Sequence, residues 1–225
     1  MAEKQPTNVD RWLERETPRT RKALESASRY FDANDTLTVN TLEAVYGRES
    51  SFGTMQGQRG VAGAAGHFRL QQPTAERYGL IVSKKNDQRF DIEYAASAAA
   101  RYLKDLDTMF SKSTRLSEGK DTIPVKNGLE RKKFVLAAYN AGEGRIAGAQ
   151  RLAEQNGKNP QLWRDVESFL ESARATRAKA KEIRQYDELV PAYEVEVAQK
   201  SPAKKNLKTW NVSCVMKADV VSVLP

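Results

Sequence analysis

Apolar residues recur at helical spacing along most of the chain, and clusters of glycine, proline and small polar residues interrupt them. Thr7 or Asn8 is placed to cap a first amphipathic helix carrying Trp12, Leu13, Leu24 and Tyr30, which residues 32–35 break. A second helix is predicted from about Val39, with Leu42, Val45 and Tyr46 on one face, reaching Glu49 before Gly53 ends it. Gly53, Gly57, Gly60, Gly63 and Gly66 follow, a density that costs a helix too much backbone entropy and predicts a loop. Residues 73–78 read as a short helix, with Pro73 in its first turn and Gly79 past its end. Residues 91–110 are Ala-rich, with Ile92, Ala96, Ala99, Leu103 and Leu106 near helical spacing, and the polar stretch 111–128 reads as a loop. Residues 130–140 form another predicted helix, ended at Gly142, and Glu143 opens the next. Residues 161–189 fit one or two long, partly exposed helices. Residues 201–206 read as a linker, and the valine-rich stretch 209–224 as a short strand or extended tail. The chain is therefore expected to be mainly α.

Composition narrows this little. With 225 residues, 40% of them hydrophobic and 8% aromatic, the chain can bury a sizeable core. Thirty-seven Lys and Arg against 29 Asp and Glu give a net charge of +8. That balance favours an anionic partner, whether nucleic acid, a membrane surface or an acidic wall polymer, and does not choose among them. Cys214 is the sole cysteine, so an intrachain disulfide is excluded and compartment cannot be read from cysteine usage. No apolar run approaches the length of a membrane span, and residues 1–7 do not read as a secretory signal. The expectation is export by a non-classical route, or a signal removed ahead of Met1.

The chemistry concentrates in two stretches. Glu49 stands near the end of an apolar helix, with Val45, Tyr46 and Phe52 around it. Such surroundings raise a carboxyl pKa and suit a general acid, although a lone glutamate there also reads as a solvated helix end. Tyr139 and Asn140 run into a glycine turn, where Tyr139 fits a core aromatic with a satisfied hydroxyl and Asn140 a helix C-cap. His67 is the only histidine, so a metal-ligand set is lacking, and phosphate-cradling or dinucleotide motifs are absent; neither metal nor cofactor is expected. The clusters Arg131, Lys132, Lys133 and Lys204, Lys205, Lys208 read as solvated faces.

Glu49-Ser50-Ser51-Phe52, Gly63-Ala64-Ala65-Gly66, Thr74-Ala75, Tyr78-Gly79, Tyr102-Leu103 and Ala138-Tyr139-Asn140-Ala141-Gly142-x-Gly144 follow one another in an informative order. Over residues 38–190 that order resembles the soluble lytic transglycosylase (SLT) family, whose fold is that of goose-type lysozyme. Arg184-x-Tyr186 is a weaker match to the family's late Thr-Arg-x-Tyr element, because Ile183 replaces the threonine. The resemblance implies a lysozyme-like helical domain over residues 37–199 with a Gly-rich active-site loop. Residues 1–36 would be a helical segment packed on it, and residues 200–225 a linker and tail. It implies a cut at the β-1,4 bond between N-acetylmuramic acid and N-acetylglucosamine of peptidoglycan. Glu49 would act first as acid and then as base, giving a 1,6-anhydro end. Tyr139 would stand near Glu49 or the N-acetyl group, and Asn140, Ser50, Ser51, Arg69 and Gln71 would meet substrate.

Two positions depart from the pattern. Gly66-His67-Phe68-Arg69 stands where the family reads Gly-Leu-Met-Gln, so Arg69 replaces a groove glutamine unless Gln71 or Gln72 supplies the amide. Arg69 is also suited to wall carboxylates. Gly60 falls near the family's serine. Expected partners are peptidoglycan strands, with a secretion-system component or immunity protein if the chain is an exported antibacterial effector or phage lysin. The site of action would be the periplasm or cell wall, with no nucleic acid and no membrane span. Three alternatives remain. A lysozyme on the same fold would use Asp91, Glu76 or Glu143 to hold water. The others are a degenerate wall-binding module and, on charge alone, a nucleic-acid binder.

Overall fold

The computed structural model describes residues 5–117 and 119–201, and within them the chain is mainly helical. Thr7 caps α1 (Asn8–Glu14) in a capping box with Asp10. Thr17 caps α2 (Pro18–Ala27), with Pro18 in its first turn. The single first helix expected from periodicity is therefore two. Proline lacks an N–H to donate and its ring opposes a preceding helical turn, so the helix ends before Pro18 and restarts on it.

Thr38 and Thr41 form a second capping box at the start of α3 (Val39–Ser50). After the glycine loop come α4 (Gln72–Arg77) and α5 (Ile92–Ser111), whose cap is Asp91. Asn127 caps α6 (Gly128–Ala141), and α7 (Glu143–Gln155) follows directly. The stretch read as one or two long helices is a four-residue α8 (Trp163–Val166) and then α9 (Arg177–Lys200), capped by Thr176. α9 continues eleven residues past the expected end and carries Pro191 in its interior. Burial outweighs the lost hydrogen bond, since Val190 and Val197 flank that proline and are both fully buried.

α3 and α6 lie against α9, and α5 packs between α2 and α6. Ala95, Ala96, Ala98, Ala99 and Ala100 are all 0% exposed, so α5 meets its neighbours through methyl groups and the backbones approach closely. Val9, Trp12 and Leu24 from the first two helices join the same hydrophobic core as Leu42, Leu136, Ile183 and Val190. Trp12 lies on Gly47 so closely that a Cβ there would enter its ring.

The basic triplet of α6 corrects the sequence reading in part. Arg131 holds Asp107 at 2.7 Å, and Lys132 reaches Glu194 of α9 at 2.6 Å and the Thr36 carbonyl at 2.7 Å. Lys133 pairs with Glu130 at 2.6 Å. Arg131 and Lys132 thus tie α6 to other parts of the fold, while Lys133 pairs within α6 and stays partly exposed, as the sequence reading has it. Among the described residues no helix is long and apolar enough to cross a membrane. The linker and valine-rich tail, with Cys214, Lys204, Lys205 and Lys208, lie outside the described residues.

Candidate active site

The site is built where α3 stops. Ser51 and Phe52 both adopt left-handed backbone, with φ of 48° and 56°. That conformation costs a non-glycine residue roughly 1–2 kcal/mol, so it needs support. Ser50 supplies some, because its hydroxyl donates to the His67 carbonyl at 2.6 Å and accepts from the Gly53 N–H at 3.0 Å. Phe52 supplies more by stacking on Trp12 at 6.1 Å and packing on Tyr46 at 4.5 Å between ring centres. The turn leaves Glu49 facing a cleft of about 430 Å³, also lined by Arg69, Gln71, Thr74, Tyr102, Tyr139, Asn140, Glu143, Arg145, Lys179 and Glu182.

Ser50 and Ser51 do not fit the substrate-contacting role expected of them. Ser50 is 0% exposed and its hydroxyl is engaged with the Tyr46 and His67 carbonyls and the Gly53 N–H, all of them backbone groups. Ser51 lies off the cleft lining, with its carbonyl accepting from Arg15. Asn140 is not a C-cap either. α6 runs through Ala141, and Gly142, at φ 86°, ends it. The Asn140 amide instead donates to Glu182 at 2.9 Å, and its carbonyl oxygen is buried without a partner.

Burial pushes the Glu49 carboxyl up to about 7, while Tyr186, Arg48, Arg69 and Lys179 pull in the opposite direction. The carboxyl is thus about half-protonated at neutral pH, where an ordinary glutamate is ionised, and can serve as an acid. Tyr139 stands beside it, and its hydroxyl donates to the Phe68 carbonyl at 2.9 Å, fixing the ring between loop and cleft. The Tyr139 ring packs on Tyr102 at 5.3 Å, and Tyr102 on Tyr78 at 5.7 Å, giving an aromatic wall.

The other carboxylates of the cleft are engaged. Glu143 accepts from Arg77 at 3.2 Å and from the Tyr102 hydroxyl at 3.1 Å. Burial pushes the Glu182 carboxyl up, but Asn140 and Lys179 outweigh it and hold the group below its usual range. Glu76 and Asp91 do not line the cleft. Gln72 donates to Glu76, and Asp91 caps α5 and pairs with Arg19. Arg69 and Gln71 both line the cleft, Arg69 from a left-handed position at φ 50°. Gln72 is turned away to Glu76.

The glycine loop is wound around one side chain. Arg89 is 1% exposed and donates to the carbonyls of Val61, Gly63 and Leu70 at 2.7–3.0 Å, with Asp87 as its ion-pair partner at 2.8 Å. Gly60 donates its N–H to the same Asp87 at 2.7 Å, at φ 70°, and a Cβ there would lie 2.6 Å from the Lys84 nitrogen. A serine at this position has no room. His67 is half-buried, with Nδ1 against the Tyr46 hydroxyl at 3.0 Å, and burial lowers its pKa. Among the described residues no group of three or more His, Cys, Asp or Glu is arranged to hold a metal ion.

Sequence reasoning missed the α9 side of the cleft. Lys179, Glu182 and Tyr186 share one helix face at spacings of three and four. The buried Tyr186 hydroxyl interacts with Glu49 without reaching ordinary hydrogen-bond geometry, and the Arg48 guanidinium lies 6.0 Å from its ring centre. The Arg184-x-Tyr186 element was the available signal; Lys179 and Glu182 had none.

The transglycosylase SLT domain family matches residues 27–162. Similar curated proteins are named membrane-bound lytic murein transglycosylase F. The one from Shewanella loihica is 33% identical over 112 residues, which is 50% of this chain and 20% of the relative. Those from Shewanella woodyi and Shewanella frigidimarina are 33% and 36% identical over the same length and shares. The matched stretch is thus about a fifth of these relatives, and α9, with Tyr186, follows the family match.

Proposed function

Because the chain belongs to the transglycosylase SLT domain family, we propose that it is a peptidoglycan lytic transglycosylase in which Glu49 serves as acid and then as base. The observation that carries this reading is a single carboxyl, raised to about 7 by burial, at a cleft whose other carboxylates are already hydrogen-bonded to protein side chains. Protonated Glu49 gives its proton to the glycosidic oxygen as the bond to the anomeric carbon of N-acetylmuramic acid breaks. The carboxylate left behind favours the positive charge that develops on the sugar. It then takes the proton of the sugar's own 6-hydroxyl as that oxygen closes on the anomeric carbon. Glu49 ends protonated, water is not consumed, and the product is a 1,6-anhydro end.

The buried Tyr139 and Tyr186 both lie near Glu49 and help exclude water from the carboxyl. Arg69, Gln71 and Asn140, which line the cleft, are proposed to contact the glycan. The engaged state of Glu143 and Glu182 favours this outcome over hydrolysis, which calls for a carboxylate free to activate water. Mass spectrometry of digested sacculi tests the assignment. Anhydro ends from the wild type and none from Glu49→Gln are expected. Reducing ends would establish a lysozyme, and lysis undiminished in Glu49→Gln would remove Glu49 from the mechanism. Binding to sacculi without lysis by the wild type would establish a wall-binding module.

A further inference from the structure

A second hollow, of about 310 Å³, adjoins the cleft and shares Ala141, Gly142, Glu143 and Arg145 with it. Its walls carry Arg77, Lys120, Arg145 and Arg174, from α4, the loop before α6, the start of α7 and the turn before α9. Among the described residues that line the hollow, the one carboxylate is Glu143, which Arg77 and Tyr102 already occupy. Arg145 is half-buried and Arg174 exposed, and among the described residues neither forms an ion pair. Arg174 is held at φ 66°, left-handed backbone that a surface arginine ordinarily avoids. The floor at residues 141–144 is the break between α6 and α7.

A half-buried guanidinium without an anion is costly, because solvent reaches it incompletely. A carboxylate arriving in the hollow would receive hydrogen bonds from a planar donor fork and a positive local field. On the proposed substrate, anionic groups sit at a defined place: the peptide stem hangs from the lactyl group of N-acetylmuramic acid and carries free carboxylates. A sugar ring in the cleft puts its stem beside the ring. Arg145, which lines both spaces, marks where the two meet.

We infer that this cationic hollow is a subsite for the carboxylates of the peptide stem, so that the protein selects glycan strands still bearing stems. The inference rests on the transglycosylase reading and adds a substrate preference to it. Arg145 and Arg174 are the specificity-determining side chains.

The test compares three forms of one glycan preparation: strands with native stems, strands whose stem carboxylates are capped as amides, and strands stripped of stems by an amidase. Stripping leaves the lactyl carboxylate, so the amide-capped arm separates charge from bulk. The wild type should show kcat/KM several-fold higher on native than on capped strands. Arg174→Gln should reduce that ratio roughly threefold to tenfold, and Arg145→Gln with Arg174→Gln should bring it close to one. Lysine at both positions should restore part of the ratio, which loss of folding would not. Equal wild-type rates on native and capped strands would overturn the subsite, as would an unchanged ratio in the double variant. If the wild type cleaves none of the three, it is the transglycosylase reading that fails.

Discussion

Glu49→Gln should make the protein more stable at alkaline pH while removing its activity. Burial places the folded-state pKa of Glu49 near 7, against an ordinary value of 4.5. The folded protein therefore binds this proton more tightly than the unfolded chain does. Its contribution to stability is fully present below about pH 4.5 and is lost as pH rises through about 7. At about 1.4 kcal/mol per tenfold in proton affinity, the full loss is roughly 3 kcal/mol. Solvent entering the cleft screens part of this, leaving ~1.5–3 kcal/mol. Glutamine has nearly the same shape and never ionises, so the variant escapes the loss. Each kcal/mol moves the melting point of a chain this size by roughly 2–4 °C. Thermal denaturation followed by circular dichroism at pH 4, 6 and 8.5 should give superimposable midpoints at pH 4. The variant's lead should be about 4–10 °C at pH 8.5. Parallel profiles for the two proteins, or a less stable variant at pH 8.5, would refute the claim that burial sets the protonation of Glu49.

Three other substitutions probe the surroundings. Tyr186→Phe removes a group that pulls the Glu49 pKa down, so the alkaline limb of the kcat/KM profile should move to higher pH; a limb that stays or falls would show the hydroxyl to be without influence. Gly60→Ser, which restores the hydroxyl usual in the family, should lower stability by about 2 kcal/mol or more and reduce lysis, because its Cβ meets Lys84 backbone 2.6 Å away at φ 70°. Urea titration and wall lysis read both effects. Arg89→Met strands buried Asp87 and three carbonyls, at a cost of about 3–5 kcal/mol. Limited proteolysis should then cut first within residues 56–72.

The local code of the helices was legible in the sequence. Thr7 as an N-cap and Gly142 as the end of α6 could be read there, because these residues satisfy or release backbone groups on their own. Thr38, Asp91 and Asn127 cap their helices in the same way, although the sequence reading did not single them out. The order of motifs led to the family and placed Glu49, Tyr139, Arg69, Gln71 and Asn140 around one cleft. Long-range effects were not legible. Periodicity ran through Pro18 because apolar positions on both sides of it enter the same core. α9 passed its expected end because packing of Val190 and Val197 offset an internal proline. Ser50 and Ser51 looked like substrate contacts because they follow Glu49, but short hydroxyl side chains at a left-handed turn also serve the backbone, and that use prevails. Arg131 and Lys132 looked solvated because their carboxylate partners are remote in sequence, 24 residues away for Asp107 and 62 for Glu194.

The Arg89 strut has a consequence for the order in which this molecule can assemble. The carbonyls it gathers lie 19 to 28 residues earlier in the chain, and its counter-ion Asp87 is only two residues away. A ribosome delivering the chain from its N-terminus exposes the whole glycine loop before the clasp that gathers it. The loop beside Glu49 cannot take its final course until Asp87 and Arg89 arrive together. Closing a loop of that length costs chain entropy before any contact repays it. The loop wall of the cleft therefore waits on residues 87–89, and the walls that α6 and α9 supply come later still, so the cleft can exclude water only when the chain is made through α9.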